Sequence, residues 1–269
     1  MLRRVRRTAA AIGALLLLAG VSAGFIFAYD CFTQSPQFTV QTIVVSGNQR
    51  LSRQSILTAA GIAADTNILA LNLSLTRKRL LAQPWIAEAT IGRDIPSGLN
   101  ISVREEVPLA LLKTAAGTGY LVNPEGRIFK RADDGDAGPW PQVTGLDDGD
   151  LPVAGRPASR GMQSVMQLLR LSRAASSPLP YARIAEIVLD HEIGLSLSFR
   201  GTARTIRLGF GDYRDKAAAL EALTARFENQ PRLAACRMID LYDIKRIVIT
   251  LAPDDLTAPG HEEVNVAGT

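Results

Sequence analysis

The chain has 269 residues and a mass of 28.9 kDa, room for one large domain or two modest ones, and 47% hydrophobic content excludes wholesale disorder. Its net charge of +4 suggests a nucleic-acid binder, but Arg3, Arg4, Arg6 and Arg7 account for all of it. The remainder balances 26 basic against 26 acidic residues, with no basic stripe to track phosphates, which argues against nucleic acid as a partner.

Residues 1–7 form a basic segment, and residues 8–29 run without a charge until Asp30. Twenty-two residues at about 1.5 Å each give about 33 Å, enough to cross a hydrocarbon core of ~30 Å. The arginines all precede the apolar run, which keeps Met1 cytoplasmic and exports the chain from Asp30 onward. A cleaved signal peptide is the rival, because Val21-Ser22-Ala23 offers small residues at a cleavage position. The run continues past that position through Phe25, Ile26, Phe27, Ala28 and Tyr29, which favours an uncleaved single span. Cys31 follows Tyr29 and Asp30 rather than the small residues of a lipid-attachment site. Export would permit a Cys31–Cys236 disulfide, with a free thiol next to the anchor as the favoured alternative. Two cysteines are too few for a disulfide scaffold or a four-ligand zinc site.

Residues 30–37 read as a short polar link. Phe38–Ser46 is rich in Thr, Val and Ile and predicts a strand closed by Gly47-Asn48. Ser52 predicts a cap for a helix over Arg53–Ala60, stopped by Gly61. Ser74 predicts a cap for a second helix to about Ala82, ended by Pro84. Trp85–Ile91 alternates as a strand, and Leu99, Ile101 and Val103 alternate in another. The order is strand, helix, helix, strand, strand over residues 38–108.

From residue 109 to 251 the pattern turns mostly β. Asn123-Pro124-Glu125-Gly126 has favoured residues for a type I turn between Tyr120–Val122 and Arg127–Lys130. Asp133–Gly138 reads as a flexible loop. A helix is expected between about Ala158 and Ala174, and paired strands over Ile184–Leu189 and Leu195–Phe199. Thr205–Leu208 follows as a strand, then a helix from Asp212 to about Glu228 with Ala217, Leu220, Leu223 and Phe227 on one face. Arg237–Leu241 and Arg246–Leu251 are the last predicted strands. Residues 252–269 are polar, contain Pro253 and Pro259, and read as a flexible tail. The fold class expected is α+β: an N-terminal helix, a small β-α-α-β-β domain, then a larger, mostly antiparallel β domain with helices.

Signs of catalysis are few. Asp190-His191-Glu192 sits in a hairpin bend where adjacent side chains diverge, so a solvated turn is favoured over a metal site. Asp133-Asp134-Gly135-Asp136 and Asp147-Asp148-Gly149-Asp150 lack the central Gly and distant Glu of a calcium loop and read as polar loops. Gly209-Phe210-Gly211 lacks the third glycine of a dinucleotide fingerprint. No metal or cofactor is expected, and the chain reads as a binding protein rather than an enzyme.

The order and spacing of several motifs resemble the bacterial cell-division family FtsQ, also called DivIB. In the stretch similar to that family's POTRA domain stand Val44-Val45-Ser46-Gly47-Asn48, Asn67-Ile68-Leu69 and Pro84-Trp85-Ile86-Ala87-Glu88-Ala89-Thr90-Ile91. Arg93, Pro96, Leu99-Asn100-Ile101-Ser102-Val103 and Glu105-Glu106-Val107-Pro108 complete it. The hairpin ending in Gly126, Pro141 to Gly145, Leu208-Gly209 before the helix of Lys216, and Asp240-Leu241 are similar to the family's second domain. One departure stands near the end: the family commonly reads Asp-Leu-Arg-Tyr, and here Asp240-Leu241-Tyr242-Asp243 moves the aromatic by one position.

The resemblance implies a non-enzymatic, single-pass scaffold of the bacterial inner membrane at the division septum, anchored by residues 8–29 with its bulk in the periplasm. The implied partners are the FtsB and FtsL proteins and, through them, the septal peptidoglycan synthase. A periplasmic chaperone or transport adaptor using one POTRA-like module is the alternative, and a secreted hydrolase freed at Ala23 a further one. The residues themselves point to a partner edge. Arg246–Leu251 is the final predicted strand, so one of its sides need not be paired within the chain, with an edge covered by the chain's own tail as the alternative. Alternation puts Ile247, Ile249 and Leu251 on an inward face, and Arg246, Val248 and Thr250 on the other. With Tyr242 these make the candidate partner-binding set.

Overall fold

A computed structural model of the chain describes residues 2–33, 38–63, 65–136, 138–152, 158–227, 236–251 and 262–265. Helix α1 (Leu2–Thr33) extends beyond the uncharged stretch at both ends. Within it Ile12–Tyr29 is long and apolar enough to cross a membrane. Leu15, Leu16, Leu17, Phe25 and Phe27 are all exposed along it, a surface suited to hydrocarbon rather than water. Of the expected polar link, residues 34–37 lie outside the described residues.

The chain after α1 divides between two compact units that meet in sequence between Glu106 and Val107. The first contains β1 (Thr42–Ser46), α2 (Arg53–Ala60), α3 (Leu73–Leu81), β2 (Ile86–Asp94) and β3 (Gly98–Glu105). β3 is central, parallel to β1 and antiparallel to β2. Helix α2 starts where expected: the Ser52 side chain accepts from Ser55 N, and Gly61 closes it in the left-handed region. Helix α3 starts earlier than Ser74, because the Asn72 side chain accepts from Leu75 N at 3.0 Å. Asn is as good a cap as Ser, so the earlier residue takes the role. β1 is also shorter than Phe38–Ser46: Thr39 leaves it to make an isolated antiparallel bridge with Asn67.

Ile56, Leu57, Ala60 and Leu80 of the helices pack on Leu99, Ile101 and Val103 of β3. A register shift between Ile86 and Glu88 breaks the simple alternation at the start of β2, so that Ile86 is buried along with Ala89; Trp85, just before the strand, is buried as well. Gly47 lies at φ +82, and a Cβ there would stand 2.0 Å from the Val103 carbonyl oxygen. The turn after β1 therefore requires glycine twice over. The Glu105 carboxylate accepts the backbone N–H groups of Arg50 and Leu51, each at 2.8 Å.

The second unit is a ten-stranded sheet with two helices. Its strands are β4 (Ala110–Thr114), β5 (Gly119–Val122), β6 (Ile128–Arg131), β7 (Gln142–Leu146), β8 (Ile184–Asp190), β9 (Gly194–Phe199), β10 (Thr205–Gly209), β11 (Cys236–Asp240), β12 (Arg246–Leu251) and β13 (Glu262–Asn265). Helix α4 (Arg160–Ser172) follows β7, and α5 (Tyr213–Phe227) follows β10. The sheet order is β13-β12-β11-β10-β9-β8-β7-β4-β5-β6. Most pairs are antiparallel; the parallel ones are β4 with β7, β7 with β8 and β10 with β11. The last two are the places where a helix crosses over, as parallel neighbours require.

Ser159 caps α4 by accepting from Met162 N. The helix then buries Met162, Val165, Leu168 and Leu169 against Ile187, Leu189, Leu195 and Leu197, with Ala217, Leu220 and Leu223 of α5 in the same core. The opposite face of β8 is open, with Val188 41% exposed between buried Ile187 and Leu189. At Asp133–Gly138 the expected flexible loop is instead a single 3-10 turn, Asp134–Asp136, with Asp136 buried and paired to Lys130; Ala137 lies outside the described residues. Lys130 also holds Asp133 at 2.7 Å, so ion pairing orders a segment whose polarity alone suggested mobility. Within the expected flexible tail, 262–265 form β13, while 252–261 and 266–269 lie outside the described residues.

Candidate partner-binding edge

Alternation along β12 places its side chains as the pattern predicts for the first residues: Ile247 and Ile249 are buried, whereas Arg246 is exposed and Val248 and Thr250 are half-buried. Leu251, expected inside, is only half-buried at the strand's end. Register carries the outer face across neighbouring strands. Val248 pairs with Asp240, Asp240 with Arg207, Arg207 with Ser196 and Ser196 with Val188. The row joins apolar Val188 and Val248 to a central ion pair, Arg207 Nη1 to Asp240 Oδ2 at 3.1 Å.

The free outer edge expected for β12 is not free. β13 pairs antiparallel along it, Arg246 with Asn265, Ile247 with Val264, Val248 with Glu263 and Ile249 with Glu262. The tail's prolines and acids mask this strand in the sequence: it begins only after Pro259, and four residues with two glutamates show no readable alternation. The main-chain groups of β12 are thus shared between β11 and β13, and what the edge presents directly is its side-chain face.

Tyr242 occupies the turn between β11 and β12, 61% exposed. Its ring lies over Gly209, where a Cβ would come within 2.7 Å of Cδ2. Asp240, absent from the predicted set, positions it: Oδ1 accepts Tyr242 N at 2.9 Å while Oδ2 holds Arg207. The signal was present in the Asp240-Leu241 motif, although a lone acid at a strand end carries no sign of that double role. Asp243 closes the same turn by accepting Lys245 N at 2.9 Å. The structure therefore brings together Tyr242, Arg246, Val248 and Thr250 on one short hairpin.

Below this hairpin, Lys216 of α5 is almost fully buried and donates from Nζ to the carbonyls of Leu208, at 2.6 Å, and Phe210, at 3.1 Å. Burial pushes its pKa down, opposed by the charges of Asp212 and Asp240. Cys236 is a buried thiol whose pKa burial pushes up, and Sγ lies 3.4 Å from the Met238 carbonyl. The side chain of Cys31 lies outside the described residues.

Two loops that read separately as polar come together in space. Ligand atoms of Asp147, Asp150 and His191 lie within 4.8 Å of one another, close enough to share a cation. Their own hydrogen bonds give them a structural use. Asp150 is buried, and its Oδ2 takes Asp147 N and lies 2.9 Å from His191 Nε2. His191 is an exposed side chain, as a solvated turn implies, and is also partnered; the pair ties the turn after β7 to the β8–β9 hairpin. Burial raises the Asp150 pKa, but hydrogen bonds from Ser159, Asp147 and His191 outweigh it and hold the carboxyl low. The hydrogen bond to Asp150, and then its charge, hold the His191 pKa above the ordinary value.

Comparison with known proteins covers both units. A model of the POTRA domain, FtsQ-type, matches residues 38–106, and one of the C-terminal part of cell division protein FtsQ/DivIB matches residues 110–242. A cell division protein FtsQ from Syntrophotalea carbinolica is 30% identical over 257 residues, spanning 93% of this chain and 89% of its own. That from Geotalea daltonii is 24% identical over 246 residues, 91% and 87% of the two chains. A cell division protein DivIB from Clostridium tetani is 27% identical over 103 residues, 38% of each. The second family match closes at Tyr242, so β12 and β13 lie beyond it.

Proposed function

Because this chain belongs to the FtsQ/DivIB family of cell-division proteins, we propose that it is a non-enzymatic scaffold that recruits and links divisome proteins at the septum. In this reading α1 anchors it in the inner membrane with Met1 cytoplasmic and both compact units in the periplasm, in keeping with the placement of Arg3, Arg4, Arg6 and Arg7. Its partners are FtsB-like and FtsL-like proteins, and through them the septal peptidoglycan synthase.

The observation that carries the contact site is the outward side-chain set of one hairpin, exposed Tyr242 and Arg246 with half-buried Val248 and Thr250, near one end of a large sheet. Tyr242 and Arg246 are of the residue types enriched at interface centres. An extended partner segment would lie along β12, these side chains supplying register, with main-chain pairing open to it only where β13 is displaced.

The test is binding of the full chain, in detergent micelles, to the FtsB-like protein of the same bacterium. Val248→Lys keeps a favourable partner in Asp240 on the paired strand, so the fold is retained while a charge enters the contact face. It should weaken binding at least about tenfold, equivalent to about 1.4 kcal/mol. Unchanged affinity in Val248→Lys and in Tyr242→Ala would remove this hairpin as the contact site.

A further inference from the structure

We propose that β13 is a removable cap, a strand from the chain's own tail that holds the outer side of β12 until an extended partner segment displaces it. The proposal rests on the reading of β12 as the partner strand, and the binding outcomes separate the two.

A strand has two rows of main-chain donors and acceptors. β11 takes one row of β12, with Asp240 paired to Val248 and Met238 to Thr250. β13 takes the other along Arg246–Ile249. An incoming strand and β13 would need the same N–H and C=O groups, so they exclude each other. Competition follows from the pairing itself, whatever the sequence of the partner.

The features of β13 suit a cap that yields. It has four residues against six in β12, and two of the four are Glu262 and Glu263, a residue type depleted in strands. Ten residues, 252–261, separate it from β12 in sequence, and bringing separated segments together costs entropy. Tethering still gives the tail an effective concentration on the order of millimolar, so weak pairing suffices to occupy the edge. Among the described residues its ladder covers Arg246–Ile249 of β12. A cap that is closed most of the time lowers the apparent affinity of every partner by the fraction of chains that are open.

The experiment compares binding of the FtsB-like protein to four forms of the full chain in detergent micelles. These are the native chain, a chain ending at Leu251, a Glu263→Pro/Val264→Pro double variant, and a Val248→Cys/Glu263→Cys pair in a Cys31→Ser background. Consecutive strand residues point their amides to opposite sides, so the proline pair removes an inward amide whichever of the two it is. Residues 248 and 263 are directly paired, and antiparallel Cα separations of about 4.5–5.5 Å fit a disulfide. The truncated and proline forms should bind at least about fivefold tighter than the native chain. The oxidised cysteine pair should bind at least about tenfold weaker than the native chain and recover on reduction. Equal binding by native and truncated chains would overturn the cap and strand pairing along β12 with it, leaving only the side-chain face of the hairpin as the contact, which Val248→Lys tests separately. Weaker binding after truncation, with an unchanged unfolding midpoint, would overturn it too, because β13 would then be part of the contact surface. If no form binds, both the partner strand and the cap fall. If the truncated chain is unfolded, the proline pair decides the matter on the same criteria.

Discussion

Lys216 shows how much one side chain can carry in a protein read as a scaffold. A buried ammonium is costly, and here it is retained by two carbonyls at the strand-to-helix turn, Leu208 and Phe210. Lys216→Met keeps length and apolar stem but leaves both carbonyls without that donor, so the chain should lose about 1–3 kcal/mol. Chemical unfolding of the two forms checks this, and no change would mean that water replaces the ammonium. The Asp150–His191 pair makes a pH prediction. A His191 pKa held high adds stability that is fully present below about pH 6.5 and is lost as pH rises through the folded value. Asp150, held low, adds stability present above about pH 4 that is lost only as pH falls through its own folded value. The advantage of the native chain over His191→Ala should therefore be greatest near pH 5–6 and shrink toward pH 8–9, read from unfolding midpoints across that range. A pH-independent difference would contradict the assigned protonation.

At the scale of elements, the small domain is the most legible part. Its helices are bounded by residues with single local meanings, Ser52 and Gly61, and β3 alternates cleanly through Leu99, Ile101 and Val103. Less legible are local competition, as at Asn72, and the register shift that buries Ile86 beside Trp85. In the larger domain β4 and β7 carry no strand signal of their own. β4 reads Ala-Leu-Leu-Lys-Thr, and β7 is a five-residue strand interrupted by Gly145, so neither shows a period that chance would not supply. β13 is illegible for the same reason. The hairpin of Tyr242 and β12 is legible in its side-chain faces but not in its main-chain pairing, because pairing is set by distant residues. Trp85 is buried, with the Arg50 guanidinium 3.9 Å from its ring centroid. Trp85→Ala should cost about 3–5 kcal/mol, as a large core truncation does. A fragment of residues 38–108, with its own core around Ile56, Leu80 and Leu99, should give a dispersed amide spectrum by itself. At ~70 residues its stability would be modest, and an unfolded spectrum would place part of its core elsewhere.

For the whole molecule, the parts divide the work: an apolar helix that can reside in a bilayer, a small three-stranded domain, and a broad sheet with the Tyr242 hairpin near one end. In the proposed role, the scaffold acts by position, and loss of one contact face should stop division without unfolding the protein or releasing it from the membrane. The direct measurement is complementation in cells depleted of this protein. The native chain should restore septation to filamentous cells, whereas Val248→Lys, present at equal level in the membrane fraction, should leave them undivided. Normal division by cells living on Val248→Lys, or normal division after depletion alone, would contradict the account.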